Sequence, residues 1–144
     1  MKTVAEILNS KPDHSVHVIS PDVPVLEAIR LMAEKNIGAL VVTEGERVVG
    51  IVSERDYARK MILAGRSSAV TPVSAIMTSD VITVEPKANH EQCMQLMTDR
   101  HLRHLPVVDG GRLVGLLSIG DLVKNVIAEQ QSLIRHLEQY IRGE

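Results

Sequence analysis

Apolar residues in this chain follow one series of spacings and then follow it again 65 residues later. Each pass opens with a short apolar stretch of strand character, at about 16–19 and at 81–84, that runs into a Pro-containing turn. Helical spacing comes next. Val25, Ala28, Ile29, Met32 and Ala33 share one face in the first pass, and Cys93, Met94, Leu96 and Met97 do so in the second. Asp22 is the N-cap candidate of the first of these helices, with Pro24 close to its first turn. Two strands follow as a hairpin, 40–43 and 47–52 around Glu44-Gly45-Glu46, then 105–108 and 112–117 around Asp109-Gly110-Gly111. Glycine at such a tip supplies the positive φ that a tight hairpin needs. A further helix opens at Ser53 and again at Ser118.

Each pass therefore predicts a β-α-β-β-α unit. Laying residues 16–57 on 81–122 without a gap gives 12 identities in 42 positions, among them Pro21/Pro86, Gly50/Gly115, Ser53/Ser118 and Asp56/Asp121. A unit this short cannot bury its apolar face alone, so the two copies are expected to pack about a pseudo-twofold axis. The predicted fold class is α+β, with the repeats at 1–64 and 74–125, a polar, turn-rich linker at 65–73 and a last amphipathic helix at 126–144. That helix carries Val126, Ile127, Ile134, Leu137 and Ile141 in a stripe suited to covering the body or pairing with another subunit.

Composition narrows the picture. The chain has 144 residues, 44% of them hydrophobic, yet no Phe, no Trp and two Tyr, so its core is aliphatic. A net charge of −2 with both signs interspersed, and the lack of aromatic stacking platforms, argue against a nucleic-acid partner. No apolar run approaches the length of a membrane span and the first residues lack a signal-like stretch, so a cytoplasmic protein with no membrane partner is expected. A single cysteine, Cys93, excludes an intrachain disulfide.

The chemistry lies in what both copies keep. Ser53-x-x-Asp56 and Ser118-x-x-Asp121 stand at strand-to-helix junctions. One reading is a capping box, in which Ser accepts from backbone N–H groups and the acid supports the first turn. The other is a ligand site. Asp, shorter than the preferred Glu, is expected to reach back less well. A helix N-terminus facing a shared cleft favours anions, and a carboxylate beside it can accept two hydrogen bonds from a ribose cis-diol. Before the hairpin the copies differ: Arg103-His104-Leu105-Pro106 in the second replaces Gly38-Ala39-Leu40-Val41 in the first. Arg suits phosphate oxygens and His is a switchable donor, whereas small residues at 38–39 leave room for a flat base. Against this, Arg103 also fits as a plain surface charge and His104 as a packed strand residue. Arg55 in the first copy could reach a phosphate where the second has Gly120.

The paired units, the Gly-apolar-apolar-Ser-x-x-Asp signature of each, and Arg103-His-Leu-Pro-Val107 resemble a tandem CBS domain pair, or Bateman module. The stretches 51–60, 65–68, 94–99 and 118–121 are similar to the small stand-alone CBS-pair proteins of bacteria and plant organelles. The resemblance covers nearly the whole chain and implies an adenosine-containing ligand, AMP, ATP, NAD(H) or S-adenosylmethionine, between the two motifs. By position it implies that Asp56 and Asp121 hold ribose hydroxyls and that Ser53 and Ser118, beside Ile119, bond ribose or phosphate. It further implies that Val16, His17, Val18, Val81, Ile82 and Thr83, with Gly38, Ala39, Leu40, Arg103, His104, Leu105 and Pro106, hold adenine or phosphate. A homodimer that signals to a regulated partner protein is the implied setting.

Other chemistry is weaker. His90-x-x-Cys93 and His101-x-x-His104 fall short of a four-ligand zinc pattern, so no metal is expected. Cys93 takes the place of Ala28 on an apolar face, which suits a buried small hydrophobe. No nucleophile–base set or dinucleotide glycine pattern is present, and a catalytic barrel needs about 250 residues, so a non-catalytic sensor with no catalytic cofactor is expected. The competing reading is a structural or interaction module whose cleft takes no ligand.

Overall fold

The computed structural model describes residues 2–13 and 15–143. In chain order the elements are α1 (Val4–Ser10), β1 (Val18–Ile19), α2 (Val25–Lys35), β2 (Ala39–Glu44), β3 (Arg47–Ser53), α3 (Glu54–Tyr57), α4 (His90–Arg100), β4 (His104–Asp109), β5 (Arg112–Ser118) and α5 (Ile119–Arg142). The chain is α+β, built from two repeats. The duplication extends to fine detail. Both hairpins bulge at matched positions, Val42/Thr43 and Val107/Val108. Asn36 and His101 end the matched helices α2 and α4 in the left-handed conformation. Glu54 N–H donates to the Gly38 carbonyl at 3.0 Å as Ile119 N–H does to Arg103 at 2.9 Å.

In the first repeat, β1 lies parallel to β2 and β2 antiparallel to β3. The expected partner strand at 81–84 shrinks to a single bridge, Val84 with Val107. Its bonds are Val84 N–H to the Pro106 carbonyl and Val108 N–H to the Val84 carbonyl. The next rung of an evenly spaced parallel ladder needs the N–H of residue 106, and proline has none.

Two segments depart from chain order. Val4–Ser10, where the sequence predicts no element, form α1, capped by a reciprocal box between Thr3 and Glu6. Its Val4 and Ile7 are buried in the core of the second repeat, with Val84, Cys93, Met97, Leu105, Val107, Leu117 and Leu122. The 3-10 turn Val73–Ala75 does the converse. Val73 and Ile76 are buried in the first core with Ile19, Val25, Ala28, Met32, Leu40, Val42, Val52 and Met61. Each repeat is thus covered by the segment that leads into the other. Glycine makes room for both covers: a Cβ on Gly115 would come within 2.7 Å of Leu8 Cδ1, and one on Gly50 within 2.5 Å of Met77 Sδ.

This exchange exposes an extension of the repeat. Val4-x-x-Ile7-Leu8 answers Val73-x-x-Ile76-Met77, at a spacing of 69 (73 − 4) rather than 65. The difference is an insertion of four residues. Five residues, 11–15, separate Ser10 from Val16, where only Asp80 separates Ser79 from Val81.

Helix ends follow local chemistry. Asp22 does not cap α2; its N-cap is Pro24, without a side-chain bond. Carbonyls of the linker cap it instead, with Val25 N–H to Thr71 at 2.8 Å and Leu26 N–H to Ser68 at 3.0 Å. The helix opened by Glu54 passes into a π turn, Ala58–Ile62, whereas α5 runs unbroken through the polar segment 129–132. Ile119, Val123, Ile127, Leu133, Ile134, Leu137, Tyr140 and Ile141 are exposed along α5, whereas Leu122 and Asn125 near its start are buried.

Candidate functional site

Both Ser-x-x-Asp motifs fold as reciprocal capping boxes. Ser53 N–H donates to Asp56 Oδ2 at 3.0 Å and Asp56 N–H to Ser53 Oγ at 3.2 Å. Ser118 N–H donates to Asp121 Oδ2 at 2.8 Å and Asp121 N–H to Ser118 Oγ at 3.1 Å. The expectation that Asp reaches back poorly is therefore wrong. The extended Ser backbone brings its N–H over the first turn, within a short carboxylate's range. Each carboxylate is also paired with a lysine, Asp56 with Lys60 at 3.2 Å and Asp121 with Lys11 at 3.0 Å.

A hollow remains between the repeats. A cavity of about 560 Å³ lies against Val16, His17, Gly38 and Ala39 of the first repeat and His104, Val114–Leu116 and Ser118 of the second. That volume is in the range of small-molecule sites. Of the residues singled out in the sequence, Val16, His17, Gly38, Ala39, His104 and Ser118 meet on its wall. The wall also takes Asn9, Lys11, Asp13 and Ser15 from α1 and the insertion, which sequence reasoning did not select. The upstream repeat with its changed spacing is the signal that would have found them.

The other selected residues lie off this wall. Asp121 stands behind Lys11, and Ile119 is exposed at the start of α5. Ser53 and Asp56 sit together at the first-repeat junction. Arg55 and Arg103 are exposed and do not line the cavity. Leu40, Leu105 and Pro106 are buried in their strands. Val18 lines a smaller hollow of about 220 Å³ with Thr43 and Arg112. Val81 and Ile82 are half-buried and Thr83 is exposed, all outside regular strand. No group of three or more potential metal ligands occurs among the described residues, and Cys93 is buried, with its thiol pKa raised by that burial.

His104 gives the cavity its one resolved titration shift. Burial pushes its pKa below the usual 6.5; Asp121 pulls it up, and Arg103 and Lys11 push it down. The unfolded chain therefore binds the proton more readily than the folded one. Stability should decrease as pH falls through 6.5 towards the lower folded value. Urea midpoints at pH 7.5 and 5.5 should differ less for His104→Gln than for the parent. An unchanged difference would remove His104 from the titration.

Two interleaved repeats around one ligand-sized cleft define a tandem-repeat binding module. The chain belongs to the CBS domain family, whose profile matches residues 4–63 and 73–128. It is 40% identical over 149 residues to the mitochondrial CBS domain-containing protein CBSX3 of Arabidopsis thaliana, covering 98% of this chain and 72% of that protein. A protein with CBS domains from Burkholderia ambifaria MC40-6 is 55% identical, with a TM-score of 0.86 over 90% of this chain and 96% of that one. The crystal structure of CBSX2 in complex with AMP is 26% identical, with a TM-score of 0.74 over 89% of this chain and 98% of that one. No helix among the described residues is long and apolar enough to cross a membrane.

Proposed function

We propose that this protein is a non-catalytic regulatory module that binds an adenosine-containing ligand, AMP, ATP, NAD(H) or S-adenosylmethionine, in the cleft between its repeats. The observation that carries this reading is the convergence of Val16-His17, Gly38-Ala39, His104 and Ser118 from separate repeats on one 560 Å³ cavity. Gly38 leaves open space around its Cα, and Ala39 offers a small side chain, so a flat base can lie against the start of β2. The AMP bound by the similar CBSX2 structure supports the ligand class. Ligand acts by favouring one arrangement of the two halves over another, which a partner protein reads in the cytoplasm. The exposed stripe on α5 suits a second copy of the chain, making the module a homodimer.

The second reading is an interaction module without a physiological ligand. The pairing of both carboxylates with their own backbone and with lysines favours it. A thermal-shift panel with AMP, ADP, ATP, NAD+, NADH and S-adenosylmethionine separates the two. A ligand at a hundred times its Kd should stabilise the fold by about 2.7 kcal/mol. A flat response across the panel at millimolar concentrations would leave the interaction module standing alone.

A further inference from the structure

The two aspartates are neutralised by the same triangle of groups built from different parts of the chain. In the first repeat Lys60, one turn beyond Asp56, forms an ion pair with Asp56 Oδ1 at 3.2 Å and donates to the Ile76 carbonyl at 2.9 Å. The matching position in the second repeat is Asn125 (60 + 65), which is buried and leaves its amide Nδ2 without a partner. Lys11 from the insertion takes over there, donating to Asp121 Oδ2 and to the Leu116 carbonyl, both at 3.0 Å. The substitution changes where the charge sits. Lys60 does not line the cavity, whereas Lys11 is the only Lys or Arg among the described residues that do.

We propose that Lys11 receives the anionic end of the ligand, so that this cavity selects phosphorylated nucleosides over neutral ones. The inference rests on the nucleotide reading and adds to it the charge class of the ligand and the residue that sets it. An ammonium has three N–H donors. Two are spent on Asp121 and Leu116, which fix the group at the wall, and the third is left for a phosphate oxygen. The start of α5 also holds the Asp121 carboxylate, through the Ser118 N–H at 2.8 Å, so Lys11 is not the carboxylate's sole partner. Asp13 and Asp109 also line the cavity, and Asp13 accepts the Ser15 N–H at 2.8 Å. His17 and His104 line the same cavity and can donate to the ligand.

Calorimetric titration of the full chain and of Lys11→Met, Lys11→Arg and Lys60→Met with AMP and with adenosine tests this. The parent should bind AMP more tightly than adenosine, and that preference should shrink as NaCl rises. Lys11→Met, which keeps the apolar stem, should weaken AMP binding by about ten- to a hundredfold, the loss of one charge-assisted hydrogen bond. Adenosine should change less than about threefold by the same reasoning, since it makes no such bond. Lys11→Arg should keep the preference, and Lys60→Met should leave both affinities as they are. Equal affinity of the parent for AMP and adenosine, or a matched loss of both in Lys11→Met, overturns the assignment while the nucleotide reading stands. Should the parent bind neither compound nor any other member of the nucleotide panel, both fall. If Lys11→Met does not fold, the parent's AMP preference and its salt dependence decide the matter: a salt-independent preference overturns the assignment.

Discussion

Ile7→Ala should lower the free energy of unfolding by about 2–5 kcal/mol, as much as truncating a large aliphatic side chain at the centre of a domain. Ile7 lies in a seven-residue helix near the start of the chain, a place where substitutions are usually tolerated. Here it is 2% exposed and sits among Leu105, Leu117 and Leu122 of the second repeat. The cost comes from a cavity that neighbours on β4, β5 and α5 can fill only in part. Ile76→Ala is its counterpart for the first repeat and should cost a similar amount, since Ile76 is fully buried against Val52 and Met61. Urea denaturation of both variants reads the losses directly. A loss below about 1 kcal/mol for Ile7→Ala, well under the range for buried aliphatic truncation, would mean that α1 is a loose appendage.

Asp121→Ala should destabilise by about 1–3 kcal/mol, the range for losing hydrogen bonds to a charged group, and by more than Asp56→Ala. Both variants keep the N-cap serine but lose the carboxylate that accepts its backbone N–H, and both strand a lysine. The lysines differ in how easily water can take them back. The Lys60 side chain is 43% exposed and that of Lys11 30%, although each remains held at one carbonyl, Ile76 for Lys60 and Leu116 for Lys11. The helices differ too, since Asp121 completes the capping box of the 24-residue α5 that contributes Leu122 to the second core, whereas Asp56 completes that of four residues before a π turn. Asp121→Asn separates the contributions, because the amide oxygen still accepts from Ser118 N–H while the ion pair is lost. Equal losses in the two Ala variants would show that Lys11 adds nothing beyond what Lys60 does.

Most of the fold was legible in the sequence because the duplication states each element twice. Leu40 with Val42 and Leu105 with Val107 alternate identically around hairpins of the same length, and Gly45 and Gly110 both adopt the positive φ that their tips require. What escaped was long-range or proline-dependent. Pro106 reads as part of a binding motif, yet its missing N–H also ends a strand at Val84. α1 escaped because Val4 and Ile7 make barely one turn of periodicity, although Thr3-x-x-Glu6 is a capping box in plain view. At the site, strand residues such as Ala39 and His104 were found from their place in the repeat. Lys11 was not, because its partner is 110 positions away and no local spacing announces it. Arg55 and Arg103 stood out where the two copies differ, and both occupy exposed positions at helix and strand starts, off the wall of the hollow.

The exchanged covers bear on how such a chain can be divided. Residues 4–7 close the second core and residues 73–76 close the first, so severing the chain at 65–73 leaves each fragment with an open flank of Val, Leu and Met. Covalent linkage of the two units makes the loan of covers mutual and permanent, and the extra residues at 11–15 change one flank without touching its twin.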